Sequence, residues 1–311
     1  MSNIHTLRLK ASADDLYLAI SYMVPEGNPK GLVQLVHGMC GHKERFYPFM
    51  EYLASNGYVC IIHDHRGHGA SVKCPEDLGY MYDGGWMAMV EDIDVVRQWA
   101  RKHFGGETTL LGHSMGSLAI RSYAKRHDSE IDRLIVCGTP KDNRAAGFGK
   151  VLFRCVESLG GGHWHMGLIQ NLSSSYFNRH FRHEGYDNAW ACSDKNSLEA
   201  YKNDPLCQFS FTANGFANFL AMMQDCFDTE GWNCTNPELS VHFLSGGDDP
   251  CMGSPRDFNH AVNLMKSAGY KRVSYHIFPK MRHEILNESD KLTVWSHILG
   301  LLCERETIRQ T

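Results

Sequence analysis

The sequence predicts an α/β fold, a mostly parallel central sheet flanked by helices and interrupted by one helical insertion. Three observations carry this prediction. From residue 5 to about 138, short β-branched or apolar runs alternate with longer amphipathic ones, the rhythm of strand–helix–strand units. The runs from Gly31 to His37 and from Tyr58 to Ile62 are apolar nearly throughout, as strands buried on both faces are. Between Arg144 and Trp232 the rhythm stops, and it resumes afterwards.

In chain order, Leu7 to Ala11 and Tyr17 to Met23 read as an antiparallel pair joined through Ser12-Ala13-Asp14-Asp15. The strand from Gly31 is followed by a helix over Glu44 to Asn56 and the strand from Tyr58. From Asp83 to Phe104, apolar residues recur at Trp86, Met89, Val90, Ile93, Val96, Trp99 and Ala100, close to the helical period, and Gly105-Gly106 marks the stop. Strands at Thr108 to Leu111 and Arg133 to Cys137 enclose a helix at Met115 to Arg126. The stretch from Arg144 to Trp232 is rich in aromatics and glycine and lacks a convincing strand. Beyond it come a strand at Val241 to Leu244, a helix near Asp257 to Ser267, a strand at Val273 to Phe278 and a helix over Asp290 to Cys303. The expected organisation is one core in two parts, residues 1–140 and 236–311, with residues 141–235 as an inserted helical cap.

Composition narrows the function. With 311 residues, 43% apolar and 21% charged, the chain can bury a sizeable core. Lys plus Arg number 31 against 35 Asp plus Glu, so a nucleic-acid partner is excluded by the absence of basic excess. The start, Met1 to Arg8, lacks the apolar stretch of a secretory signal, and no run approaches the ~20 apolar residues that span a bilayer. Eleven cysteines, an odd number without any C-x-x-C, indicate neither a disulfide framework nor a zinc site. A soluble, cytoplasmic protein is expected.

The sharpest local signal is Gly112-His113-Ser114-Met115-Gly116, placed between a strand and a helix. This is a nucleophile elbow in its required context: the serine occupies a strained turn, and glycine two residues either side lets the backbones approach. A serine hydroxyl needs a base held by a third group. The strand ending at Leu244 runs into Ser245-Gly246-Gly247-Asp248-Asp249-Pro250, offering either Asp248 or Asp249. The strand ending at Phe278 runs into Pro279-Lys280-Met281-Arg282-His283-Glu284. Both loops leave the C-terminal edge of the sheet, where ligands of such folds bind. Ser114 is the expected nucleophile and His283 the expected base. Met115 N–H and Met39 N–H, the latter in the loop His37-Gly38-Met39-Cys40-Gly41, are the expected oxyanion donors.

The run His63-Asp64-His65-Arg66-Gly67-His68 has histidines spaced like a metallo-β-lactamase zinc motif, but glycine stands where that motif has its aspartate. It reads as a structured loop, with Arg66 and Asp64 paired beneath the site and Gly67 and Gly69 allowing tight turns. His163-Trp164-His165 has no third ligand.

Together, His37-Gly38, Asp64 to Ser71, Gly112 to Gly116, Ser245-Gly246 with Asp249-Pro250, and His283-Glu284 resemble the α/β-hydrolase fold. Within it they resemble the lysophospholipase and monoacylglycerol lipase-like serine hydrolases. Trp190 to Asp194 and Tyr201 with Asp204-Pro205-Leu206-Cys207 look like the cap of that group. The resemblance implies the triad Ser114, Asp249 and His283, with Asp248 shaping the loop, and no cofactor or metal. It implies a serine carboxylic-ester hydrolase acting through an acyl-enzyme on a small lipid or acyl ester, with transient contact at a membrane surface. The insertion's aromatics suggest an acyl cleft with Phe148, Phe153 and Trp164 facing substrate, and Arg179 to His183 reads as a solvated basic stretch. The alternative is a proline iminopeptidase-like amide hydrolase, which needs acidic groups in the cap such as Glu199 or Asp204. Less favoured is a non-catalytic ligand-binding relative.

Overall fold

The computed structural model describes residues 3–304; Met1, Ser2 and the end of the expected second core part, residues 305–311, lie outside them. Eight strands form one sheet: β1 (Ile4–Lys10), β2 (Tyr17–Met23), β3 (Gly31–Val36), β4 (Tyr58–His63), β5 (Thr108–His113), β6 (Arg133–Cys137), β7 (Ser240–Gly246) and β8 (Arg272–Phe278). Their order is β1-β2-β4-β3-β5-β6-β7-β8. The β1–β2 and β2–β4 pairs are antiparallel, and every other pair is parallel.

Burial explains the sequence pattern. Strands β3 to β7 are buried along their whole length, so they carry apolar runs without alternation. The edge strands β1 and β8 are largely exposed and hold charge at Arg8, Lys10 and Arg272, which discourages pairing with another chain.

Helices α1 (Tyr47–Ser55), α2 (Gly85–Phe104) and α3 (Met115–His127) follow β3, β4 and β5, and α8 (Pro255–Ser267) and α9 (Lys291–Cys303) follow β7 and β8. One face of the sheet packs Leu35, Cys60 and Ile62 against Phe49, Met50 and Leu53 of α1 and Val294, Trp295 and Ile298 of α9. The other face packs Leu110, Leu134 and Phe243 against α2, α3 and α8 through Ile93, Ile120 and Val262. The helix expected over Glu44 to Asn56 is a 3₁₀ turn, Lys43–Phe46, leading into α1. Pro48 explains the break, since proline fits only the first turn of a helix.

Between β6 and β7 the described chain is helical: α4 (Ala146–Val156), α5 (Gly167–Phe177), α6 (Lys195–Asn203) and α7 (Ala213–Phe227). Its one β contact is the isolated bridge His165–Thr212. Helix α7 ties this segment to the core. Thr212 caps it by accepting from Gly215 N–H at 3.1 Å, and a Cβ on Gly215 would lie 2.1 Å from the Gly79 carbonyl oxygen. Only glycine permits that crossing. Asn214 and Asn218 of α7 accept from the N–H groups of Met81 and Trp86, so the insertion is bolted to the start of α2.

Candidate active site

Strand β5 ends at His113 and α3 starts at Met115, leaving Ser114 to make the whole turn with φ 55° and ψ −120°. Such a conformation costs a non-glycine residue about 1–3 kcal/mol. The neighbours dictate it: a Cβ on Gly112 would lie 2.4 Å from the Gly116 carbonyl oxygen, and one on Gly116 only 2.1 Å from that of Val36. The turn thrusts the Ser114 side chain into a cavity of about 790 Å³ at the C-terminal edge of the sheet, under the inserted helices.

The loops after β7 and β8 meet it there. Ser114 Oγ lies 2.8 Å from His283 Nε2, and His283 Nδ1 lies 3.1 and 3.0 Å from the two carboxylate oxygens of Asp249. Asp249 and His283 are both buried, and Asp249 also accepts from Cys251 N–H at 2.8 Å. With an anion at Nδ1, the imidazole keeps its proton there and presents a lone pair at Nε2 to the serine hydroxyl. Burial alone would lower the pKa of His283, but the Asp249 charge, with hydrogen bonding from Asp249 and Cys251, raises it well above the ordinary histidine value. Asp248 is exposed, whereas Asp249 is buried against the histidine.

The two expected oxyanion amides belong to segments that border the serine, and both residues line its cavity. The loop after β3 passes over it so closely that a Cβ on Gly38 would sit 3.0 Å from Ser114 Cβ. Met115 N–H is the first of α3 and has no intrahelical partner. Sequence reasoning missed how the other amide is aimed. His37 Nε2 accepts from His65 N–H at 3.0 Å, which puts the His37 ring proton on Nδ1, where it is donated to the Gly38 carbonyl at 2.8 Å. In turn His65 Nε2 donates to the His37 carbonyl at 3.0 Å. A trans peptide holds its N–H opposite its C=O. Fixing the Gly38 carbonyl therefore fixes the Met39 N–H, which has no partner among the described residues. Burial, and then the neighbouring histidines, holds both rings well below the ordinary histidine pKa, so they stay neutral and can play these donor and acceptor roles.

Two expectations need correction. Arg66 does not pair with Asp64. The turn closed by His68 N–H on the His65 carbonyl, 2.9 Å, sends Arg66 toward α2, where it meets Asp92 at 2.9 and 3.1 Å and Asp14 at 2.8 Å. Asp64 instead binds Lys43 Nζ at 2.8 Å and the N–H groups of Lys43 and Ala70. Burial pushes the Asp92 carboxyl up to about 6 despite Arg66. Arg66→Met leaves that carboxylate buried and unpaired, and a loss of about 3–5 kcal/mol in unfolding free energy is expected by urea denaturation.

The second correction is Trp164. It is 62% exposed and outside the cavity, because Gly160, at φ 87°, breaks the helical path and the turn beyond lays the indole over Gly161. Phe148 and Phe153 do line the cavity, Phe153 stacked on Phe216 at 5.2 Å. The wall is completed by apolar residues such as Leu172, Phe177, Leu220 and Met223. Arg179 to His183 and Glu199 lie away from it. The one carboxylate lining the cavity among the described residues is Glu284, clamped by Arg45 at 3.0 and 2.6 Å. Burial opposes its ionisation, but Arg45 holds its pKa down at about 2.

Known proteins resemble this chain over most of its length. The profile of the family described as serine aminopeptidase, S33, matches residues 27–290. Monoglyceride lipase of Homo sapiens is 32% identical over 91% of this chain and 84% of its own length. Monoacylglycerol lipase of Mycolicibacterium smegmatis is 26% identical over 87% of both. Among solved structures, a thermostable carboxyl esterase from Bacillus coagulans superposes with a TM-score of 0.86 at 24% identity, covering 97% of this chain and 100% of that one. A soluble variant of monoglyceride lipase from Saccharomyces cerevisiae gives 0.72 at 17% identity, covering 97% and 96%. The chain thus belongs to the serine aminopeptidase S33 family of α/β-hydrolases, as one of its lipase-like serine ester hydrolases.

Proposed function

We propose that the protein hydrolyses monoacylglycerols and similar small acyl esters, with Ser114 as nucleophile, His283 as general base and Asp249 orienting the imidazole. The observation that carries this is the hydrogen-bonded chain from Asp249 through His283 to Ser114, set in an apolar cavity without a free carboxylate. His283 Nε2 takes the Ser114 proton as Oγ bonds to the ester carbonyl carbon, and the carbonyl oxygen becomes an oxyanion facing the Met39 and Met115 amides. The carbon–oxygen bond to the alcohol breaks, and His283 returns the proton to the departing oxygen. Water then attacks the acyl-serine by the same route and releases the acid.

The same cavity speaks against an aminopeptidase. A free amino terminus needs an unpaired acid, and Glu284 is already committed to Arg45. Asp204, one of the acids the alternative required, is bound to His42 instead.

Phe148 and Val151 of α4 and Leu168 and Leu172 of α5 are largely exposed, as is Leu159 between the two helices in the chain. Exposed apolar side chains in such number mark an interaction surface, and these suit transient docking on lipid, beside the cavity that Phe148 lines. No described helix is long and apolar enough to cross a membrane.

The test is a panel of p-nitrophenyl esters from acetate to palmitate, with a monoacylglycerol and an aminoacyl p-nitroanilide alongside. Burying a methylene contributes ~0.8 kcal/mol, so kcat/KM should rise up to about fourfold per CH₂ until the cavity is filled. The ester should exceed the anilide by at least ~100-fold. Faster cleavage of the anilide than of any ester would overturn the reading.

A further inference from the structure

A second cluster of reactive side chains lies beside the oxyanion loop and takes no part in the chemistry above. His42 and Glu44 follow that loop directly, and in the inserted segment Asp204 caps the short 3₁₀ turn Pro205–Cys207, which ends on Cys207. His42 Nε2 is 2.6 Å from Asp204 Oδ2, and its Nδ1 is 2.5 Å from Glu44 Oε2. The ligand atoms of His42, Asp204 and Cys207 all lie within 4.8 Å of one another. His42 and Cys207 are buried, and Asp204 is half-buried.

We propose that His42, Asp204 and Cys207 form a binding site for a divalent cation of the zinc class, one that clamps the inserted helices to the oxyanion loop. The donor set is one imidazole nitrogen, one thiolate and one carboxylate, which suits a borderline-soft tetrahedral ion and not magnesium or calcium. With bond lengths of 2.0–2.3 Å, the edges of a zinc tetrahedron are about 3.3 Å or a little longer. The present separations bracket that length, with Nε2 and Asp204 Oδ2 at 2.6 Å and all three atoms within 4.8 Å, so coordination requires Asp204 to back away slightly from Nε2.

The surroundings are those a metal ligand needs. A ligating histidine usually gives its other ring N–H to a carboxylate, and Glu44 stands at Nδ1. Glu44 is itself held by Lys43 Nζ at 2.7 Å. The second oxygen of Asp204 accepts from Leu206 N–H at 2.9 Å, and Cys207 N–H binds the Asp204 carbonyl at 2.9 Å, so both ligands from the insertion are oriented as one unit. Binding displaces the proton between Nε2 and Asp204 and the thiol proton of Cys207, both released to solvent, and leaves a first shell with no net charge. A water fills the fourth position. Sequence spacing could not reveal the site, because 162 positions separate His42 from Asp204.

The test uses the full-length protein, kept reduced, stripped with a chelator and titrated with Co²⁺, then with Zn²⁺ in competition. The expected result is one equivalent of cobalt with a thiolate-to-cobalt charge-transfer band, lost on addition of zinc and absent in Cys207→Ser. Glu44→Gln, which removes no ligand, should weaken zinc binding by about 10- to 100-fold. If Cys207→Ser does not fold, Asp204→Asn must show the weakened binding instead. No saturable thiolate band, or a band that persists in Cys207→Ser, overturns the site, since ten other thiols are present. The readout needs no ester turnover, so its failure and a failure of the hydrolase reading are separate results.

Discussion

Ser114→Ala is expected to lower monoacylglycerol and p-nitrophenyl ester hydrolysis by about 10⁴-fold or more, with the fold intact. Removing the nucleophile of such a constellation costs nearly as much as removing all of it, because its members act as a unit. The backbone supplies an independent check. Alanine at position 114 inherits the φ of 55° and should leave stability within about 0.5 kcal/mol of the parent. Ser114→Gly, equally inactive, relieves about 1–3 kcal/mol of strain while adding up to about 1 kcal/mol of unfolded-chain entropy. A net gain of about 1 kcal/mol is therefore expected by urea denaturation. Activity and stability moving in opposite directions at one residue is the mark of strain kept for function.

Asp249→Asn should lower kcat by about 10³- to 10⁴-fold, with KM for short esters little changed. Asparagine fits the space, but its NH₂ can donate to Nδ1, which favours the tautomer with the proton on Nε2, where Ser114 needs a lone pair. The pH profile carries the sign. His283 must be neutral to take the proton, and its pKa stands well above the ordinary value because the Asp249 charge outweighs burial. In the parent, kcat/KM thus rises with pH through an acid limb displaced above 6.5, and is lost as pH falls through it. Without that charge, burial prevails and the residual activity of Asp249→Asn should show its limb at lower pH. A limb unmoved by the substitution would mean that the limiting proton belongs to another group.

Much of this is legible in the sequence because the physics is local. A strand buried on both faces writes a nearly continuous apolar run, so β3 and β4 are visible directly in the runs from Gly31 to His37 and Tyr58 to Ile62. A serine in a one-residue strand-to-helix turn needs glycine two positions either side, so Gly112 and Gly116 mark it. What escaped depends on distant partners. Arg66 meets Asp92, 26 positions on, through a turn direction that no local pattern encodes. Trp164 is expected at the cavity as an aromatic early in the insertion, yet the break at Gly160 decides where it points. His37 and His65 were present as letters, but their reciprocal hydrogen bonds, and hence the aim of the Met39 amide, appear only when β3 and β4 lie side by side. Its only trace in the sequence is a histidine just after each strand, His37 and His65, in a glycine-bearing loop.

The most direct measurement is mass spectrometry of the protein after reaction with a fluorophosphonate ester, with peptide mapping and residual activity followed together. The account predicts one adduct per chain, on Ser114, formed in step with the loss of ester hydrolysis, slowed by monoacylglycerol and absent in Ser114→Ala. An adduct on another residue that tracks the loss of activity, or full ester turnover by protein labelled on Ser114, would contradict it.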